Sequence, residues 1–574
     1  MIEKVLGLTE IENLYKKACQ LSTSENFLTI LLKEIGVKIE VFQVENLKKI
    51  PTEGPVLIVA NHPVGAIEGI VLAKEILEVR PDLQILANQL LKKIPALEDL
   101  FIGVDVLSKN AALNNMMGIK KVHCHLENNG ALLLFPAGLV SNYQFKQKRI
   151  VDPPWNRILG QLIRRYQCTS LPVWVEGRNS ILFHLAGCIH PRLRTAFLAM
   201  EVLNKNGKKL SITFGSPIPA KELMPFSDYQ AITDYVRIST EALSPCNKRK
   251  PQRKKTSIHP IAAPSSVEDL CKEVATLKED RLLQHNEFEV YCSPYEKLHA
   301  VMHEIAVNRE IAFREVGLGT GFSKDSDHLD PHYRHLFLWD TQKHKIPGAY
   351  RLCFTDEIVA RYGVEGLYSR SLYRYNETFI QRLGKSIELG RSFIHPSYQR
   401  LPIALNLLWQ GIGQLIVKNP QYHTVFGSVN VSQRYSDLTR SLIADTLLQN
   451  FKTDEFEGLV TPLTPHKTQN RVWSKEIVSE MSNVKLLNTL IGRCHPTKAL
   501  PVLIRHYLSL LSGKMVCFTM HTHFNNSLDG LIIVDSRKSK PRTLKHFMGS
   551  EGYKTFKEFH KLPEENTLRE PSSI

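Results

Sequence analysis

No C-x-x-C pair occurs in the 574 residues, and the ten cysteines are scattered along the whole chain. That excludes a dense disulfide framework and a thiolate zinc cluster and suits a reducing cytosol. No stretch offers the ~18 uninterrupted apolar residues that cross a bilayer, so any membrane contact is expected to be peripheral. Met1 to Glu10 carries Glu3 and Glu10 among short apolar stretches and lacks the charged start, apolar run and small-residue cleavage site of a secretory signal. No export is expected. Acidic residues are in deficit: 57 Asp+Glu against 73 Lys+Arg give a net charge of +16. A cationic surface suits phosphate-bearing partners, whether membrane, nucleic acid or a carrier protein, and charge alone does not choose among them. With 43% hydrophobic and 23% charged residues, dominant disorder is excluded. At ~150 residues per domain the length requires more than one core.

The clearest change of texture is Ser244-Pro245-Cys246-Asn247-Lys248-Arg249-Lys250-Pro251-Gln252-Arg253-Lys254-Lys255, followed by Pro260 and Pro264-Ser265-Ser266. Like charges repel one another here and the prolines deny the backbone a helix or ladder. Residues 244–266 therefore read as a linker between domains at 1–243 and 267–574. The segment is a solvated hinge or an anionic-membrane patch; nucleic acid loses support because no aromatic residues interleave with the charges. Ahead of it, Val56 to Ala60, Phe101 to Leu107, Ala131 to Phe135, Leu171 to Val175 and Leu210 to Phe214 are apolar runs alternating with helical patterns, a buried sheet with helices between its strands. After it, a helical stretch from Tyr295 to Phe313 leads to His335 to Trp339, Gly348 to Cys353, Ser386 to Leu389, Thr424 to Val431 and Leu531 to Val534. Both halves are α/β, and they are unlike each other.

The first strand runs into Asn61-His62-Pro63-Val64-Gly65-Ala66-Ile67-Glu68-Gly69, which places a histidine and an acid in the turn where a buried strand emerges. Acyl transfer to a hydroxyl needs a neutral imidazole as base and a carboxylate on its other nitrogen. His62 and Glu68 have those chemistries, although on spacing alone such a pair is more often structural. Leu134-Phe135-Pro136-Ala137-Gly138 and Val175-Glu176-Gly177-Arg178-Asn179-Ser180 put polar turns on two further strand ends, consistent with one site at the carboxyl edge of a sheet. From about Val56 to Ile218 the sequence resembles the glycerolipid and lysophospholipid acyltransferase family, whose signature is His-x4-Asp followed by Phe-Pro-Glu-Gly, and most resembles its branch for acylated amino-acid lipids. The resemblance implies His62 as base, Glu68 as its orienter, and Gly138 and Arg178 on the acceptor side. Arg178 has a fold-internal ion pair as its alternative. The acid lies six residues after the histidine and is Glu68 instead of Asp. Ala137 replaces the glutamate that helps bind acceptor phosphate, which disfavours a glycerol-phosphate acceptor.

In the second half, Ser386 to Pro396, Ser397-Tyr398-Gln399-Arg400 and the helical Ile403 to Ile416 form a strand, a turn and a helix start whose N–H groups can hold a phosphate. This plan is similar to that of the GNAT acyltransferases, whose Gln/Arg-x-x-Gly-x-Gly/Ala loop, starting here at Gln399, receives a pyrophosphate. Pro402 stands at the first glycine position and removes an N–H. The single phosphopantetheine of acyl carrier protein therefore fits better as donor, and a cationic surface attracts that acidic protein. From about His299 to Val534 the finer resemblance is to ornithine N-acyltransferases and acyl-homoserine-lactone synthases. It is carried by Arg309-x3-Phe313, Asp327, Asp330, His335-Leu336, Gly348 to Leu352 with Arg351, Glu388-Leu389-Gly390-Arg391-Ser392 and Phe426 to Val429, and its span includes Asp529 and the run Pro501 to Tyr507. Glu388 is the implied base or substrate anchor, with an ion pair to Arg351 or Arg391 as the competing reading. Asp327 and Asp330 hold the amine or are merely solvated. His123-Cys124-His125 and His521-Thr522-His523 lack a supporting ligand cluster and read as structural or surface histidines. The stripe from Ile11 to Gly36 lies on a bilayer or packs in a core.

The expectation is therefore a bifunctional acyltransferase of ornithine lipid synthesis, cytoplasmic and peripheral on the inner face of the membrane, with no bound cofactor and no nucleic-acid partner. The second half would transfer a 3-hydroxyacyl group from acyl carrier protein to the α-amine of ornithine, and the first would esterify the 3-hydroxyl of that lyso-lipid. The alternatives are a lysophospholipid acyltransferase whose GNAT-like half serves glycine or lysine, and a second half that only docks acyl carrier protein.

Overall fold

A computed structural model of the chain describes residues 8–22, 27–89, 91, 95–104, 115–144, 149–189, 194, 196–248, 258–468, 471–495, 499–522 and 524–563. Two compact units emerge. One comprises Met1–Arg249, Asn470–Asn483 and Thr489–Lys498; the other comprises Lys250–Gln469, Val484–Asn488 and Ala499–Ile574. Most of the basic Lys248–Lys255 segment lies outside the described residues. On its near side Pro245–Lys248 forms a single helical turn. On its far side His259 and Ala262 donate their N–H groups to the carbonyls of Gly321 and Ser323, each at 2.9 Å.

The first unit begins with helices α1 (Leu8–Leu21) and α2 (Phe27–Ile35), then β1 (Lys38–Phe42), β2 (Val56–Ala60), α3 (Ala66–Leu77), β3 (Gln84–Asn88), β4 (Phe101–Val104), α4 (Met116–Glu127) and β5 (Ala131–Leu134). A small hairpin of β6 (Asn142–Gln144) and β7 (Arg149–Val151), helix α5 (Ile158–Tyr166), β8 (Thr169–Glu176), α6 (Ile181–Ile189), β9 (Lys209–Phe214) and α7 (Tyr229–Glu241) follow. The seven-stranded sheet runs β1-β9-β8-β2-β5-β3-β4. β2 is central, parallel to both β5 and β8, and all five of its residues are buried. That is why it reads as an unbroken apolar run with no alternation. β9 returns antiparallel to β8, and β1 pairs parallel with β9. The carboxyl ends of β2, β3, β4, β5 and β8 thus share one edge with the starts of β1 and β9. Asp228 caps α7 by accepting from the Gln230 and Ala231 N–H groups, a contact worth ~1 kcal/mol.

Residues well beyond the basic segment complete this unit. Trp473, Ile477 and Val478 are buried. The Ser474 N–H donates to Asp234 at 2.7 Å, Glu480 accepts from the Ser227 and Asp228 N–H groups at 2.7 Å, and Arg493 pairs with Glu222.

The second unit is built on an eight-stranded sheet of β10 (Arg281–His285), β11 (Phe288–Pro294), β12 (Arg334–Asp340), β13 (Lys345–Phe354), β15 (Ser386–Ile394), β16 (Thr424–Val431), β18 (Lys514–His521) and β19 (Ser527–Asp535), in the order β10-β11-β12-β13-β15-β16-β19-β18. β14 (Tyr373–Tyr375) and β17 (Val460–Pro462) pair separately. Neighbours are antiparallel except β15 and β16, which are joined through helix α9 (Pro402–Lys418). Helix α8 (Ala300–Val316) covers β13 and β15, with Val301, Ile305 and Ala306 packed against Phe337, Ala349 and Phe393. β15 and β16 stay in register only from Ser386↔Thr424 to Leu389↔Gly427 and then part. Gly427 is required at the point of parting, because a Cβ there would meet the Leu389 carbonyl oxygen at 2.1 Å. Both units are α/β, as the sequence patterns predict.

Candidate active sites

In the first unit the sharp exit from β2 is set by Gly65, whose φ of +110° lies where side chains rarely go. Asn61 acts as a surrogate backbone: its amide donates to the Val175 carbonyl at 2.8 Å and accepts from the Val175 N–H at 2.6 Å, locking the turn to β8. His62 follows, with its ring stacked on Phe135 at a centroid separation of 4.4 Å. Its Nδ1 is hydrogen-bonded to Glu68 Oε1, and Glu68 Oε2 accepts the Val64 N–H at 2.9 Å. The six-residue spacing therefore still delivers the acid to the imidazole, through the first turn of α3, and leaves Nε2 for a substrate. Burial alone would push the imidazole down, but the adjacent Glu68 carboxylate, helped by Asp152, holds His62 above the usual histidine value.

Asp152, in the Val151-Asp152-Pro153-Pro154-Trp155 stretch, is a part of this site that sequence reading missed. It accepts the His62 N–H at 3.2 Å, the Ser141 hydroxyl at 2.5 Å and the Trp155 indole N–H at 3.0 Å. The proline-flanked acid ahead of a tryptophan was the available signal. Gly138, at φ +66°, closes the turn after β5, its N–H donating to the Phe135 carbonyl at 2.9 Å. Arg178 is exposed. The turn carrying it is fastened from behind, where the buried Lys205 ammonium donates to the Arg178 carbonyl at 3.0 Å, to Asn179 Oδ1 at 2.8 Å and to Glu201 at 3.0 Å. Arg178, Lys205 and Lys208 face a cavity of 390 Å³ with Val37, Ile67 and Leu210 as its apolar lining. Ile67 adjoins Glu68, so the cavity reaches the start of α3.

The same sheet edge carries large apolar side chains in water. On α6, Ile181, Leu182 and Leu185 are 78%, 65% and 55% exposed, and Leu139, Tyr143, Ile150, Met116 and Met117 are also exposed. All follow the carboxyl ends of β4, β5 or β8. Among the described residues no helix is long and apolar enough to cross a membrane.

In the second unit Arg309, Arg351 and Arg391 converge from α8, β13 and β15 on Asp325, Asp327 and Asp330. Arg309 reaches Asp330 at 3.1 Å, Arg351 reaches Asp327 at 2.5 Å and Asp330 at 2.9 Å, and Arg391 reaches Asp325 at 2.9 Å and Asp327 at 3.2 Å. Three cations balance three anions. Asp327 and Asp330 are therefore tied into the fold and not merely solvated. Burial would raise the Asp330 carboxyl, but Arg309 and Arg351 hold it far below the usual carboxylate range. Asp325, 1% exposed, was missed, though the Asp325-x-Asp327-x-x-Asp330 spacing was there to read. The guanidinium of Arg351 also lies 5.0 Å from the Tyr333 ring and 5.2 Å from that of Tyr368.

Glu388 is fully enclosed and pairs with neither arginine. Its oxygens accept the Tyr333 and Ser369 hydroxyls, the Ser369 N–H at 2.8 Å and the Tyr368 N–H at 3.1 Å. A carboxylate offers about four lone-pair sites, so these donors occupy it. Arg391 sits at φ +49°, where the β13–β15 register shifts, and the bulge turns its side chain to the aspartates. Gln399 is exposed and its amide donates to the Ile394 carbonyl at 3.1 Å, ahead of Pro402 at the start of α9.

His123 bonds the Tyr166 hydroxyl at 2.6 Å and His125 the Ala131 carbonyl at 2.9 Å, and among the described residues no His, Cys, Asp or Glu cluster fits a metal ion. His523 lies outside the described residues. His521 faces a buried aspartate, Asp529, at 3.3 Å.

Residues 6–247 match an acyltransferase family and residues 309–410 match the acetyltransferase (GNAT) domain. A glycine N(alpha)-acyltransferase of Bacteroides thetaiotaomicron is 32% identical over 44% of this chain and 77% of its own length. A lyso-glycine lipid O-acyltransferase of the same organism is 28% identical over 38% of this chain and 79% of its own length. Among solved structures, a 1-acyl-sn-glycerophosphate acyltransferase from Thermotoga maritima covers 42% of this chain and 93% of its own at 16% identity with a TM-score of 0.25, too low to add to these. The chain thus belongs to the family of bacterial acyltransferases represented by that first relative, and joins an acyltransferase domain to a GNAT domain in one polypeptide.

Proposed function

We propose that the chain carries out both acylations of an amino-acid lipid. The GNAT unit transfers a 3-hydroxyacyl group to the α-amine of an amino acid, and the other unit esterifies the new 3-hydroxyl. The observation that carries this reading is the presence of two separately built candidate sites, His62–Glu68 in one unit and the charged split between β15 and β16 in the other. The names of the two relatives, one an N-acyltransferase and one an O-acyltransferase, describe the two halves of that chemistry.

For the ester step, Glu68 on Nδ1 fixes the tautomer so that Nε2 takes the acceptor hydroxyl proton as the oxygen attacks the thioester carbonyl. The C–S bond breaks and the imidazolium returns the proton to the leaving thiolate. Arg178 and Lys208, at the cavity beside α3, suit the carboxylate of an N-acyl amino acid. For the amide step, the parted strands leave backbone N–H and C=O groups unpaired on both sides of a slot suited to the amide-bearing arm of phosphopantetheine. Acyl carrier protein is the proposed donor, since Pro402 denies α9 an N–H that a pyrophosphate would use. Glu388 serves as an anchor that fixes Tyr333 and the 368–369 turn. Glycine is the proposed acceptor on the strength of the relatives' names; with all three aspartates already paired to arginines, the cluster holds no spare carboxylate for ornithine's second amine. The exposed apolar residues at the His62 edge support a peripheral position on a membrane surface.

The purified chain, given 3-hydroxyacyl carrier protein with glycine, ornithine or lysine, should yield N-acylglycine, and a second acyl donor should convert it to the O-acylated lipid. Preference for ornithine would replace the acceptor assignment. Carrier binding without any N-acyl product would reduce the GNAT unit to a docking module.

A further inference from the structure

Beyond Leu389 and Gly427 the two parallel strands diverge. Arg391 lies on the β15 wall of the gap, and Ser428 and Asn430 lie on the β16 wall. β16 stays paired with β19 throughout, placing Asn430 opposite Asp529, and β18 places His521 opposite Ser527. Cross-strand partners share a face, so Asp529 and His521 stand on the same sheet face as Asn430. Glu388 is paired with Phe426, and Arg351 with Gly390, on that same face.

Asp529 is completely buried and built into position. Its Oδ1 accepts the Ser527 hydroxyl at 2.7 Å, its Oδ2 accepts the Ser428 hydroxyl at 3.4 Å and faces His521 Nδ1 at 3.3 Å, and its backbone carbonyl accepts the Tyr373 hydroxyl at 2.9 Å. The His521 ring stacks on Phe524 at 5.3 Å, and Phe524 lies 5.3 Å from the Arg391 guanidinium. The imidazole thereby reaches the β16 wall through Asp529 and Ser428, and approaches Arg391 on the β15 wall through Phe524. With Nδ1 on the carboxylate, Nε2 is the nitrogen open to a substrate, and among the described residues it has no hydrogen-bond partner. Glu388, by contrast, has its lone pairs filled by four donors.

We propose that His521, oriented by Asp529, is the catalytic base of the amide-forming site, accepting a proton from the ammonium of the amino acid so that the free amine attacks the thioester in the β15–β16 gap. This rests on the reading of the GNAT unit as an N-acyltransferase. In the step, the amine nitrogen bonds to the carbonyl carbon, the C–S bond breaks, and the ammonium has delivered one proton to His521 Nε2. The nitrogen's second proton passes to the leaving thiolate, and His521 releases its proton to solvent. Tyr368 lies near both ends of this arrangement: burial raises its hydroxyl, with Arg391 opposing and Asp529 adding to the shift.

The test compares the full chain with His521→Gln and Asp529→Asn, using 3-hydroxyacyl carrier protein and either glycine or hydroxylamine, an amine already uncharged at neutral pH. With glycine, kcat should fall about 100-fold in His521→Gln with little change in KM, and less in Asp529→Asn. With hydroxylamine both variants should keep nearly the wild-type rate, which also shows that the unit is folded. Wild-type rates in His521→Gln with glycine, or equal losses with both amines, overturn the proposal. A wild-type chain that acylates hydroxylamine but no amino acid overturns the N-acyltransferase reading itself, a result independent of either variant.

Discussion

Glu68 and Glu388 are both buried carboxylates, and the difference between them lies in what their oxygens hold. Glu68 holds one N–H and a histidine whose second nitrogen stays open; Glu388 holds four donors and anchors a wall. His62→Ala should lower O-acylation by about 100-fold or more and leave N-acylation intact, as read by separate product assays. Because Glu68 holds the His62 value above its ordinary one, and only neutral imidazole is a base, O-acylation should decline as pH drops through that raised value. In Glu68→Gln the acid limb of kcat/KM should move to lower pH while the maximum falls. A different pH response belongs to His335, buried with Nε2 on the Asp330 carbonyl at 3.1 Å, where burial lowers its value to about 4. Its unfolded form takes up a proton below about 6.5, so the neutral fold loses stability as pH falls from there toward 4, by a few kcal/mol. The melting temperature should drop between pH 7 and pH 5, and less steeply in His335→Asn. His62 and Glu68 were legible as residue types in a turn, whereas Asp152 was not, because it reaches the site from ninety positions away through its fold and not through spacing.

Burial on both faces made some strands legible, although the buried β11 was not read from the sequence. β2, β5 and β8 read directly as apolar runs, since a strand covered on both faces has no alternation to disguise it. β1, β3 and β10, largely half-exposed, left no such run and were not foreseen. The parting of β15 and β16 was invisible in sequence except for one glycine. Gly427→Ala should push β16 off the Leu389 carbonyl, costing about 1–3 kcal/mol, and its N-acylation should fall while O-acylation is unchanged; equal N-acylation would mean that the gap tolerates reshaping. The His521–Asp529 pair stayed hidden because its members lie on two strands of a hairpin, and a local motif search sees only His521-Thr522-His523.

At the scale of the molecule, the +16 charge and the apolar α6 combine into a prediction about where the enzyme works. Ile181→Asp with Leu182→Asp should reduce co-sedimentation with phosphatidylglycerol vesicles several-fold and slow O-acylation of vesicle-embedded lyso-lipid, with rates on detergent-dispersed substrate unchanged. Equal binding by wild type and variant would remove α6 from the membrane surface.

Trp473, Ser474, Ile477 and Arg493 belong to the first compact unit although more than two hundred residues separate them from Lys248. During synthesis, the face of α7 that carries Asp234 therefore stays uncovered until the ribosome has made most of the GNAT unit. A fragment ended at the basic segment would leave Asp234, Ser227 and Glu222 without those late-arriving partners. That surface of the first unit is thus completed only late in the translation of the chain.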